Sequence, residues 1–106
     1  ESEVREIFRE RMFFAAEQIQ ETPNMSILYP PKGSIYLFIN IKRTGLSSEE
    51  VCARILEQAH VLFLPGNCFG ACGEGYIRMA CTVSVDAIAE AFRRIKEMPL
   101  FQTLQD

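Results

Sequence analysis

Residues 34–41, Ser-Ile-Tyr-Leu-Phe-Ile-Asn-Ile, alternate in the way a β-strand requires, yet nearly every position is apolar. Ile35, Leu37, Ile39 and Ile41 fall on one face, and Tyr36, Phe38 and Asn40 on the other, because successive strand side chains point to opposite sides. A strand with one solvated face would show polar residues at every second position. Two largely apolar faces therefore place this segment inside a sheet or against a partner surface.

The rest of the chain supplies neighbours for that strand and a helical layer to cover it. Residues 76–82 form a further strand, with Ile77, Met79 and Cys81 on one face and Tyr76, Arg78, Ala80 and Thr82 on the other. Residues 61–64 read as a short strand ended by Pro65-Gly66. Residues 25–29 read as an extended segment closed by Pro30-Pro31, since a fixed φ excludes both helix and central ladder.

Three stretches carry helical periodicity. Residues 1–21 space Val4, Ile7, Phe8, Met12, Ala15 and Ile19 three and four apart and end by Thr22-Pro23. Ser47 and Glu50 form a capping box that opens a helix through about Ala59, with Val51, Ile55 and Ala59 inward, helped by Cys52 and Leu56. Ser84 caps the last helix, with Asp86 in its first turn and Val85, Ile88, Phe92 and Ile95 as its stripe. Arg93, Arg94 and Lys96 stand near its end, where the dipole favours cations, and Pro99 stops it. The expected fold is α+β in two layers, a small three- to four-stranded sheet with helices packed on one face. Its other face is left partly uncovered, as in a chain that lacks a partner domain.

Within this pattern Arg78 is the residue that does not belong in a buried strand. Ile77, Met79 and Cys81 suit the helix-covered side, so Arg78 points to the open side. The guanidinium is cationic at any biological pH and its planar fork matches a carboxylate or phosphate in bidentate fashion. The residues leading into it, 64–75, gather four of the six glycines, a backbone that other groups can approach closely. Read from the residues alone, an ion pair between Arg78 and Glu74 at a domain interface stays open. Glu74 has no paired carboxylate with which to do acid–base work and reads as a loop or interface residue.

The bulk properties exclude several classes. A length of 106 residues is one domain, 1–106, with room for a single core. A net charge of −3 gives no basic footprint for nucleic acid. No apolar run approaches the ~18 residues of a membrane span, and the N-terminus has no signal-peptide pattern, so a cytoplasmic location is expected. Cys68 and Cys72 stand four apart with His60 nearby, which raises a zinc site. The spacing lacks a second pair, while Cys52 sits on an apolar helix face and Cys81 in a strand, so neither a metal nor a disulfide is expected. His60 reads as a helix-end residue.

The ordered motifs Pro31-x-Gly33-Ser34-x-Tyr36-x-Phe38, Ser47-Ser48-Glu49-Glu50, Val61-x-x-x-Pro65-Gly66-x-x-Phe69-Gly70 and Gly73-Glu74-Gly75-Tyr76-Ile77-Arg78 resemble the C-terminal small domain of class I/II aminotransferases. These are fold type I pyridoxal-phosphate enzymes. The resemblance implies that Arg78 binds the α-carboxylate shared by amino-acid and 2-oxo-acid substrates, with Phe69 as a wall beside the substrate. It also implies pyridoxal 5'-phosphate as the parent enzyme's cofactor, a large cofactor-binding domain of the same protein as partner, and a homodimeric parent. Lys32, Lys42 and Lys96 lack the sequence context of the family's Schiff-base lysine. Neither the acidic partner of the pyridine nitrogen nor the phosphate cup is recognised, so this chain alone is expected to be inactive and to hold no cofactor. Two alternatives stay open: a stand-alone carboxylate-binding or regulatory module without catalysis, and a lyase or acyltransferase on the same fold.

Overall fold

The computed structural model of the chain describes residues 2–27, 36–66, 74–80 and 83–103. Helix α1 (Ser2–Gln20) leads to strand β1 (Ser26–Ile27) and strand β2 (Tyr36–Asn40). A 3-10 turn (Lys42–Thr44) precedes helix α2 (Ser48–Ala59), strand β3 (Leu64–Pro65) and strand β4 (Tyr76–Ala80). Helix α3 (Val85–Lys96) and a closing 3-10 turn (Pro99–Phe101) follow. The four strands lie in the order β1-β2-β4-β3, every pair antiparallel. This is the expected α+β fold, with the fourth strand present.

Strand parity divides the sheet. Leu37 and Ile39 on β2 and Ile77 and Met79 on β4 are all buried, and they meet Val51 and Ile55 of α2 and Ile88, Phe92 and Ile95 of α3 in one core. Helix α1 joins through α3 and the β1–β2 edge, burying Met12, Ala15, Ala16 and Ile19. On the far face Phe38 is 49% exposed and Leu64 39%. At roughly 25 cal/mol per Å² of apolar surface removed from water, the covered face supplies the hydrophobic stabilisation of the sheet.

Helix boundaries follow the capping residues. The Ser47 hydroxyl accepts the Glu50 backbone N–H at 3.1 Å, and the Ser84 hydroxyl accepts that of Ala87 at 3.2 Å, each satisfying an orphan donor of a first turn. The Glu50 carboxylate, which in a full capping box would turn back to the N-cap, takes Arg54 Nε at 2.9 Å. Helix α2 ends on His60 in the left-handed region (φ 60°), with the His60 N–H bonded to the Leu56 carbonyl, so His60 is indeed a helix-end residue. Pro99 does more than stop α3: it starts the 3-10 turn that buries Phe101.

Three local expectations are corrected. The third strand, expected over 61–64, lies at Leu64–Pro65, where it pairs with Arg78 and Ile77; Pro65 is tolerated because β3 is an edge strand. Ile7 and Leu56, expected inward, are each about half exposed. The partners of α1 are met by the later part of that helix, where Ala16 completes the stripe. Leu56 stands one residue, about 100°, off the seam of Val51, Ile55 and Ala59. Among the described residues no helix is long and apolar enough to cross a membrane.

Candidate functional site

The open face is built around β4. In the antiparallel register Arg78 lies opposite Phe38 on β2 and opposite Leu64 on β3. Directly paired residues on neighbouring strands hold their Cβ atoms about 4.5–5.5 Å apart. The half-buried arginine therefore rises between two apolar, partly exposed side chains. Such walls lower the local dielectric and strengthen attraction for an arriving anion relative to a guanidinium in open water. Tyr76 and Ala80 continue the same face along the strand.

The start of β4 is fastened by hydrogen bonds from two other elements. The Ile41 N–H donates to the Gly75 carbonyl at 2.8 Å, and the Gly75 N–H donates to Ser48 Oγ at 2.9 Å. Ser48 is fully buried. Its own backbone N–H, the first of α2, donates to Glu74 Oε2 at 2.9 Å, and its hydroxyl lies 3.4 Å from the same oxygen. Gly75 has φ 90°, a conformation that L side chains rarely adopt. Over it lies the Lys42 stem, whose Nζ sits 5.0 Å from the Tyr76 ring centroid.

Of the residues singled out by sequence, Arg78 is where parity placed it, on the face away from the helices. Phe69 and the rest of the glycine segment 67–73 lie outside the described residues, as do Lys32, Cys68, Cys72 and Cys81. Cys52 is buried in the core. Glu74 is a loop residue, as expected, and its carboxylate caps α2. Ser48 was not legible as important, because its partners Glu74 and Gly75 lie 26 and 27 residues away. The one signal available was a second serine directly after an N-cap serine.

A sequence model of the family "Aminotransferase class I and II" matches residues 1–95. The chain belongs to the class I and II aminotransferase family. An aspartate aminotransferase of Pyrococcus horikoshii is 36% identical over 95 residues, covering 90% of this chain and 24% of that protein. The crystal structure of an aromatic aminotransferase from Pyrococcus horikoshii OT3 superposes with a TM-score of 0.85 at 30% identity, over 90% of this chain and 25% of that one. A PLP-bound putative aminotransferase from Clostridium difficile 630 superposes with a TM-score of 0.77 at 30% identity, over 86% of this chain and 24% of the other. This chain thus spans about a quarter of the length of the relatives it matches.

Class I and II aminotransferases depend on pyridoxal 5'-phosphate, which needs a lysine for its aldehyde, an anion cradle for its phosphate and an acid beside its ring nitrogen. The two lysines among the described residues have other neighbours. Lys42 lies along Gly75 and Tyr76. Lys96 bridges α3 to α1 through Gln18 at 2.9 Å and Glu21 at 3.3 Å. Each described lysine is thus engaged with neighbouring side chains of the fold.

Proposed function

We propose that this chain is the C-terminal small domain of a pyridoxal-phosphate-dependent aminotransferase and that Arg78 binds the α-carboxylate of its substrates. The observation that carries the reading is the placement of Arg78: a fixed cation between Phe38 and Leu64 on the one sheet face that the helices leave open. An amino-acid donor and a 2-oxo-acid acceptor differ at the reacting carbon but share the carboxylate. One bidentate guanidinium contact therefore serves both half-reactions. In this reading the cofactor, its lysine and the groups that move protons belong to the remainder of the protein, a large domain that packs against the open face. Phe69 forms a wall beside the bound substrate, the whole enzyme is a homodimer, and the chain alone transaminates nothing.

Substrate choice is not written in these residues. In this reading the side-chain pocket that chooses among substrates is built largely from the large domain. The test is kinetic, in the full-length protein. Arg78→Ala should lower kcat/KM for the donor and the acceptor alike by about 2–5 kcal/mol, the scale for truncating one partner of a desolvated charge pair. Arg78→Lys, which keeps the charge and loses the fork, should fall between. An unchanged kcat/KM in Arg78→Ala would remove Arg78 from the site.

A further inference from the structure

We propose that Ser48 and Glu74 are positioning residues for Arg78, together forming a latch that ties the start of β4 to the first turn of α2. The inference rests on the carboxylate-binding reading of Arg78. The register shows why a latch is needed. Among the described residues β3 pairs with Ile77 and Arg78, which leaves Glu74 and Gly75, ahead of β4, beyond that pairing. They are held instead by Ser48, whose N–H donates to the Glu74 carboxylate and whose hydroxyl accepts the Gly75 N–H, and by the Ile41 N–H, which donates to the Gly75 carbonyl.

Each bond of the latch answers a definite need. The Gly75 N–H is buried, and removal of the Ser48 hydroxyl would strand a donor away from water. The Ser48 N–H is an orphan donor of the α2 first turn, and a carboxylate there also meets the positive end of the helix dipole. Because Ser48 Oγ accepts from Gly75 and lies beside the Glu74 carboxylate, one small buried side chain connects both residues to a helix whose Val51 and Ile55 are locked in the core. Gly75, with its positive φ, supplies a turn that most side chains would resist. Arg78 follows three residues later, in the middle of β4. Strand β2 pairs with β4 from Tyr76 to Ala80, so a slackened entry displaces the guanidinium slightly rather than freeing the strand. A bidentate contact tolerates little such displacement.

The experiment is a double-mutant comparison in the full-length protein, with KM and kcat measured for an amino-acid donor and a 2-oxo-acid acceptor and thermal unfolding followed in parallel. Ser48→Ala should raise both KM values, by up to ~100-fold, with kcat changed less. Glu74→Ala should move in the same direction. Glu74→Gln, whose amide oxygen still accepts from the Ser48 N–H, should stay near wild type. In an Arg78→Ala background, Ser48→Ala and Glu74→Ala should add no more than about twofold, since coupled residues are not additive. Should Ser48→Ala fail to fold, the Glu74→Ala and Glu74→Gln pair at the exposed end of the latch carries the test. Equal penalties in the two backgrounds would overturn the proposal and leave the latch a stability element. Unchanged KM values in the latch variants, beside a large Arg78→Ala effect, would overturn it while sparing the Arg78 reading. No effect of Arg78→Ala itself would remove both.

Discussion

The two faces of the sheet use the same strands and alternate residues for opposite ends. On the helix-covered face Leu37, Ile39, Ile77 and Met79 are buried against α2 and α3. One residue over, Phe38, Leu64 and Arg78 stand in cross-strand register with much of their surface left outward. Strand alternation makes this division inexpensive: a one-residue step moves a side chain from the interior to the open side without altering the backbone. Stability and the proposed recognition by Arg78 should therefore be separable here, since the two faces are joined mainly by the backbone of β2 and β4 and by the Ser48–Glu74 latch.

The strongest way to break that division is to attack the covered face. Ile77→Ala or Ile39→Ala should destabilise the protein by about 2–5 kcal/mol in denaturant unfolding. Both side chains are fully buried. A loss below about 1 kcal/mol would mean the core is not where the sheet parity puts it.

Next comes the junction between the faces. Gly75→Ala must hold an L side chain at φ 90° and meet the Lys42 stem at 2.7 Å. Lys42 can swing aside, so the backbone dominates, and the expected cost is about 1–2 kcal/mol. Lys42→Ala in combination should recover little of it. Full recovery would show that crowding, rather than φ, sets the cost.

On the open face the same depth of truncation should matter far less to folding. Phe38→Ala removes a cross-strand neighbour of Arg78 that is about half exposed, worth about 0.2–1 kcal/mol. Its larger effect should fall on substrate binding. A loss as large as that of Ile39→Ala would erase the distinction between the faces.

The smallest effect sharpens the comparison within α3, whose inward stripe of Ile88, Phe92 and Ile95 faces away from an outward cluster of charges. The Arg93 and then the Arg94 guanidinium, both hydrogen-bonded to Glu90, hold its carboxyl down from 4.5 to about 2. A depressed carboxyl contributes stability that is present in full above its ordinary value and is lost as pH falls through the folded value. The stability difference between wild type and Glu90→Gln should therefore be constant above about pH 4.5 and fade as pH drops toward about 2. Because the cluster is solvated, added salt should shrink it. A difference that persists below pH 2 would assign it to something other than this carboxylate.

Much of this was legible in the sequence because it is local. The two apolar faces around Leu37 and Ile39, the N-cap serines Ser47 and Ser84, and the parity that sent Arg78 outward all depend on neighbours within a few residues. The resemblance carried by the ordered motifs suggested which anion to propose for Arg78. What escaped was non-local or set by packing. The latch joins Ser48 to residues 26 and 27 positions away, and no local pattern announces it. Leu56 looked like part of an inward stripe until the seam of α2 was fixed by which neighbours it meets. The edge strand slid to Leu64–Pro65 because its register was chosen by Arg78 and Ile77 on β4, and not by its own short apolar run.

The central claim, that Arg78 on the open face binds the substrate's α-carboxylate, is tested most directly by a cycle across protein and ligand. Binding of an amino acid and of the corresponding amine, which lacks only the carboxylate, would be measured with the full-length wild type and with Arg78→Ala. Arg78→Ala should weaken binding of the amino acid by about 2–5 kcal/mol and leave that of the amine nearly unchanged. Equal weakening of both ligands, or of neither, would contradict it.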